Sequence, residues 1–120
     1  MAEEKRFEKK VRDYLNSNNI WNLKTWSNGV QRKGIPDIIA CVNGYFMGIE
    51  LKAIGNTPSE LQQKEIRDIR KSNGVAMVLY PDQFEAFKVL IEQLIAEEDV
   101  GNYYNFQWVF DEGVKEIYNI

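Results

Sequence analysis

Two apolar runs, residues 37–42 and 45–51, are separated by nothing but Asn43-Gly44. That dipeptide readily supplies the two positive φ angles of a type I′ turn, which is the tightest common way to reverse a strand. A two-residue turn fixes the register: Val42 faces Tyr45, and each step outward pairs residues whose numbers keep the same sum. Asp37 then falls directly across from Glu50. Side chains opposed in this way have Cβ atoms roughly 4.5–5.5 Å apart, and like charges so placed destabilise a sheet. Because side chains alternate with period 2, Lys52 projects on the face of Glu50, and Ile49 and Leu51 project on the other. The turn therefore gathers two carboxylates and an ammonium at one end of a hairpin.

Such a cluster has two readings. In one, Lys52 neutralises the acids as a surface ion-pair group that contributes little. In the other, Asp37 and Glu50 hold a hard divalent cation, since Mg²⁺ commonly takes one or two carboxylates together with water and a substrate phosphate. A bound cation stabilises charge on a phosphoryl oxygen and activates water, and a lysine can orient or deprotonate the nucleophile. The rest of the composition narrows the chemistry. The chain has no histidine and one cysteine, which removes Ser-His-Asp and Cys-His hydrolases, histidine-based nucleases and cysteine-rich zinc sites. Neither G-x-x-x-x-G-K-[ST] nor G-x-G-x-x-G occurs, so a P-loop mechanism is excluded. Cys41 is expected to be a buried strand residue.

At 120 residues and 44% apolar content, one compact core is expected, hence a single domain over residues 1–120. Phe7, Val11, Tyr14 and Leu15 recur at helical spacing from about Glu3, and 16–19 (Asn-Ser-Asn-Asn) end that opening helix. Residues 21–26 read as a strand by their aromatic and β-branched content, and 27–34 as a polar, basic loop. After Lys52 comes a loop, and then Ser59 and Gln62 form an S-x-x-Q capping box. The helix it opens carries Leu61, Ile66 and Ile69 and closes at Asn73-Gly74. Residues 75–80 form a continuous apolar run suited to a strand covered on both faces, and Pro81-Asp82 ends it. A further helix is expected from about Gln83 to Glu98, with an apolar stripe from Phe84 to Ile95. Residues 106–110 and 114–118 are read as a terminal hairpin. The order α-β-β-β-α-β-α, followed by that hairpin, describes an α/β mixed sheet flanked by helices.

Gly34-Ile35-Pro36-Asp37, then Glu50-Leu51-Lys52, then Gln62 in the following helix, resembles the PD-(D/E)XK nuclease superfamily and its restriction-endonuclease-like fold. Within it the chain is most similar to stand-alone VRR-NUC domains of phage type, which are related to Holliday junction resolvases. The likeness extends from the first helix to about Tyr80. It implies a Mg²⁺- or Mn²⁺-dependent endonuclease in which Asp37, Glu50 and the backbone carbonyl of Leu51 bind the metal. Lys52 would position the attacking water, and Gln62 would support the site. A glutamate of the opening helix often completes such sites. Glu8 fits because it precedes Val11 and Leu15 by three and seven residues, with Glu4 as the competing choice, and Gln63 competes with Gln62 in the same manner.

The net charge of −3 hides an asymmetry: residues 1–36 sum to +4, residues 37–80 to zero and residues 81–120 to −7. One end of the chain can meet phosphates. Lys9, Lys10 and Arg12 on the first helix, with Lys24, Arg32 and Lys33 near the loop entering Asp37, are the candidate DNA contacts. Trp21 and Trp26 can stack on bases, but in a short strand such rings are more often core, and core is the expectation. Tyr103, Tyr104 and Trp108 are candidates to cover the sheet or to form a dimer contact. A domain this small spans two strands of branched DNA most readily as a two-fold homodimer. The expected function is structure-selective cleavage of a Holliday junction or flap in recombination, repair or phage replication. A sequence-specific restriction-type enzyme and a non-catalytic DNA-binding module are the alternatives. With no apolar run of about twenty residues and no signal peptide, a cytoplasmic protein of a bacterial or phage-infected cell is expected, without membrane attachment. Whether a helicase or replication partner supplies targeting is not legible in the residues.

Overall fold

The computed structural model describes residues 2–26, 33–96 and 108–111. Helix α1 (Ala2–Ser17) turns Phe7, Val11 and Leu15 inward. It is followed by strands β1 (Trp21–Lys24), β2 (Ile38–Val42) and β3 (Tyr45–Leu51), helix α2 (Glu60–Lys71), strand β4 (Val75–Leu79) and helix α3 (Phe84–Ala96). The strands form one sheet in the order β1-β2-β3-β4. The first three are antiparallel, whereas β3 and β4 run parallel, and α2 makes the crossover that a parallel pair requires. This is the mixed sheet flanked by helices that the sequence implies.

The β2–β3 register is the expected one. Asn43 and Gly44 both take positive φ, at 51° and 88°, and Ile38 pairs with Ile49 and Val42 with Tyr45. The Asn43 side chain also donates to the Leu94 carbonyl at 2.9 Å, which ties the turn to the end of α3.

The two sheet faces are covered unequally. One face presents Ile38, Ala40, Val42, Met47, Ile49, Leu51, Met77 and Leu79 to α1 and α3, and this makes the main core together with Phe87, Leu90 and Ile91. Among the described residues the other face is covered by α2, through Ile66 and Ile69 against Ala76, Val78 and Tyr80. All five residues of β4 are consequently buried, as the uninterrupted apolar run indicated. Helix α2 does not reach the β1–β2 half. Trp21 is therefore 60% exposed and Leu23, Phe46 and Cys41 are exposed beside it, because Trp21 pairs with Cys41 and Cys41 with Phe46 on one uncovered face. The expectations that Cys41 and Trp21 are buried are thus corrected. Trp26, beyond the end of β1, is also exposed rather than core, at 66%.

Two glycines permit close approaches that shape the region before Asp37. Gly34 has φ of 92°, and a Cβ there would lie 2.7 Å from the backbone of Leu61 at the start of α2. At Gly48 a Cβ would meet Ile69 of α2 at 2.9 Å and Pro36 at 3.0 Å. Helix and Pro36 therefore rest together on the bare backbone of β3.

The expected terminal hairpin is corrected in part. Trp108–Asp111 is a turn of 3₁₀ helix, not strand, and residues 114–118 lie outside the described residues, as do Tyr103 and Tyr104. The turn forms because Phe110 is fully buried in the main core, and because Asp111 meets Arg70 through two bonds of 3.0 and 3.1 Å. Arg70 also donates to the Ala76 carbonyl at 2.9 Å, and its side chain is only 3% exposed. Removing one partner of such a buried pair strands the other, so Asp111→Ala is expected to lower stability by about 3 kcal/mol. Urea unfolding checks this, and a loss below about 1 kcal/mol, the range of exposed pairs, would contradict it.

Candidate functional site

The site lies where the β2–β3 ladder ends. Asp37 stands one residue before β2, so by the register above it opposes Glu50. Its Oδ2 accepts the Leu51 N–H at 2.9 Å, which continues the ladder through a side chain where the backbone has turned away. Thr25 fixes the approach to Asp37 from the other side. Its N–H donates to the Asp37 carbonyl at 2.9 Å, and its hydroxyl donates to the Pro36 carbonyl at 2.8 Å.

Glu50 is 2% exposed, with a buried Oε1 that has no hydrogen-bond partner. Lys52 approaches its other oxygen at 3.9 Å, beyond hydrogen-bond length. The surface ion-pair reading of this cluster fails on these facts, because its central acid is buried. A buried polar atom left unsatisfied costs the full desolvation of that atom. Burial raises both carboxyl groups. Glu50 is pushed up to about 9, first by desolvation and then by the charge of Asp37, and Lys52 only partly offsets this. Asp37 is raised mainly by burial, against the lowering effect of the Leu51 N–H and of its hydrogen bond with Glu50. Burial therefore favours the protonated form of the pair, and a divalent cation would compete with that proton.

The donor set fits such an ion. It consists of two adjacent hard oxygen ligands, one of them buried and with an orphaned atom. Among the described residues no three His, Cys, Asp or Glu side chains converge closely enough to hold a metal by themselves. An ion here would draw its other ligands from backbone, water and substrate.

The first helix brings further charge to the rim. Glu8 acts on Asp37 and Glu4 on Glu50, each raising the acid it faces. Both candidate glutamates therefore lie on the site's side of α1. Glu8 is held by Lys24, with Nζ–Oε2 at 3.1 Å. This pair went unrecognised in the sequence, where Lys24 stands among the DNA contacts. Its signal is the position of Lys24 on the core side of an edge strand, paired with buried Ile38.

The glutamines are less directly placed. Ser59 and Gln62 form the expected capping box: Gln62 Oε1 accepts the Ser59 N–H at 2.8 Å, and Ser59 Oγ accepts the Gln62 N–H at 3.1 Å. The motif that singled out Gln62 thus commits its carboxamide oxygen to the helix end. Gln63 donates to the Pro58 carbonyl at 3.1 Å. Neither is hydrogen-bonded to Asp37 or Glu50.

Of the basic residues named from sequence, Lys9 pairs with Asp13 on the exposed side of α1 and Arg12 donates to Asn22. Lys10 lies 4.7 Å from the centre of the Phe84 ring, which turns it toward α3. Lys33 is exposed, and Arg32 lies outside the described residues.

The mixed sheet thus presents two acids and a lysine at the end of a hairpin, in the D…E-x-K order. A sequence profile described as archaeal Holliday junction resolvase (Hjc) matches residues 3–115. The chain belongs to that family, whose members are structure-selective nucleases. Among solved structures it is similar to Hjc of Archaeoglobus fulgidus, a Holliday junction resolvase from an archaeal hyperthermophile. The identity is 22% and the TM-score 0.47, over 63% of this chain and 67% of that one. Among curated protein sequences nothing matches.

The raised carboxyl groups have a consequence for stability. Glu50 binds a proton more tightly folded, near pH 9, than unfolded, near 4.5, so from pH 4.5 to 9 the native state carries more protons than the unfolded one. Stability must then fall as pH rises through that window. The melting temperature of the metal-free protein is expected to decline from pH 5 to pH 9, and Glu50→Gln to flatten the decline. A profile that rises across this range, or one unaltered by Glu50→Gln, would contradict the burial argument.

Proposed function

We propose that this chain is a divalent-metal-dependent endonuclease that hydrolyses DNA phosphodiester bonds at four-way junctions. The observation that carries the reading is the opposed pair Asp37 and Glu50, with Glu50 buried, its Oε1 without a hydrogen-bond partner and Lys52 beside it. A structural ion pair gains nothing from placing two acids together where one oxygen has no partner. Asp37, Glu50 and the Leu51 carbonyl would hold Mg²⁺ or Mn²⁺, with Glu8 or Glu4 assisting from α1. A cation so held supplies positive charge to the phosphoryl oxygens and makes water more acidic. Lys52 points its ammonium at the same acids and orients the nucleophilic water. Lys24 offsets the charge of Glu8, so that a phosphate is not repelled from the α1 side. Gln62 supports the site by holding the start of α2 in place, with Gln63 as the alternative.

The basic N-terminal third brings the DNA through Lys9, Lys24, Arg32 and Lys33. We place the activity in a single domain over residues 1–120, close in its motif set to stand-alone VRR-NUC domains of phage type. Within a homodimer, two sites would serve opposite strands of the junction, and the uncovered stripe of Trp21, Leu23, Cys41 and Phe46 is the surface that a second copy would bury. No described helix is long and apolar enough to cross a membrane.

The test is a cleavage assay on four-way junction, flap, single-stranded and linear duplex DNA with Mg²⁺ or Mn²⁺. Paired nicks in the junction are expected. Asp37→Asn and Lys52→Ala should each lower the rate at least about a hundredfold while junction binding persists. No metal-dependent cutting of any of these DNAs would reduce the protein to a binding module. Cutting of linear duplex at defined sequences would favour the restriction-type reading.

A further inference from the structure

The nuclease chemistry leaves one large side chain at the rim of the site without a role. Trp26 is 66% exposed, although the residue before it is firmly anchored beside the site. It follows Thr25, whose N–H and hydroxyl are bonded to the carbonyls of Asp37 and Pro36. The ring lies beside Lys24, whose ammonium is 5.2 Å from the ring centre and 3.1 Å from Glu8, and the charge of Glu8 is felt at Asp37. The indole thus stands beside the Lys24–Glu8 pair, one residue after the Thr25 that is bonded to Asp37, at the point where the chain leaves the sheet edge. Nothing in the described structure covers it.

An exposed indole next to an ammonium suits a nucleobase, which stacks on the ring while its phosphate meets the cation. Inside a continuous duplex, each base face is already covered by its neighbours. At a branch point that stacking is interrupted. We propose that Trp26, held beside Lys24 at the rim of the Asp37–Glu50 site, stacks on the base next to the cleaved phosphate and takes it only where duplex stacking is broken. This rests on the nuclease reading and adds to it a source of selectivity for branched DNA that needs no base-specific hydrogen bond.

The test uses the full chain carrying Asp37→Asn, so that bound DNA stays intact, with 2-aminopurine placed at the branch point of a four-way junction or within a duplex arm. Stacking on Trp26 should change the fluorescence of the branch-point base and leave that of the arm unchanged. Trp26→Ala should abolish the change and weaken junction binding about tenfold, with duplex binding altered less than about twofold, whereas Trp26→Phe should retain most of both. The proposal is overturned if Trp26→Ala leaves the branch-point signal intact, weakens duplex and junction binding equally, or converts a dimer to a monomer, which would make Trp26 a subunit contact. If the protein without Asp37→Asn fails to cut with Mn²⁺ while the Trp26-dependent signal is present, the nuclease reading falls and the stacking role stands.

Discussion

Asp37 and Glu50 oppose one another across the first position beyond a hairpin ladder, and the architecture around them exists at the cost of that opposition. Two like charges facing across a sheet repel, and burial adds to the penalty by removing water. The fold tolerates both because strong local constraints hold the backbone. Asn43-Gly44 fixes the register at one end of the hairpin. At the other, the Leu51 N–H and the Thr25 N–H hold Asp37 itself, and the Thr25 hydroxyl holds the carbonyl of Pro36 just before it. Pro36 packs on Gly48 beneath α2, so the approach to Asp37 has little room to relax. A site held this firmly is one in which a ligand does not have to bring its own groups into position.

Much of this was legible in the residues because it is governed by local rules. A type I′ turn and period-2 alternation fix which residues oppose one another, whatever the rest of the chain does, and the capping box at Ser59 and Gln62 is equally local. The sequence was silent where the answer depends on what covers a surface. Trp21 and Cys41 have the composition of core residues, but α2 spans only the β3–β4 half of the second sheet face, and nothing in residues 21–26 records that. Arg70 and Asp111 are 41 residues apart, and neither belongs to a periodic pattern that announces the other. The two glutamines show a subtler difficulty. The motif that made Gln62 attractive is the one that occupies its side chain.

The charge asymmetry along the chain fits this division of labour. The basic first third supplies α1 and β1, the elements that bring Glu4, Glu8 and Lys24 to the rim of the site. The last forty residues, with a net charge of −7, contribute Phe110 to the core and Asp111 to the Arg70 pair. Membership in the archaeal Holliday junction resolvase family agrees with the acids and lysine that the hairpin collects. The uneven covering of the sheet then leaves exposed aromatic surface close to the chemistry.

The central claim is that the two acids share one site for one ion, and the proton that burial favours on the pair gives the most direct access to it. Titration calorimetry of Mn²⁺ into the protein at pH 7, repeated in buffers of different ionisation enthalpy, counts the protons displaced by the metal. About one proton released per ion bound is expected, with Glu50→Gln abolishing the release and weakening binding. Tight binding without proton release, or binding unaffected by Glu50→Gln, would contradict the account.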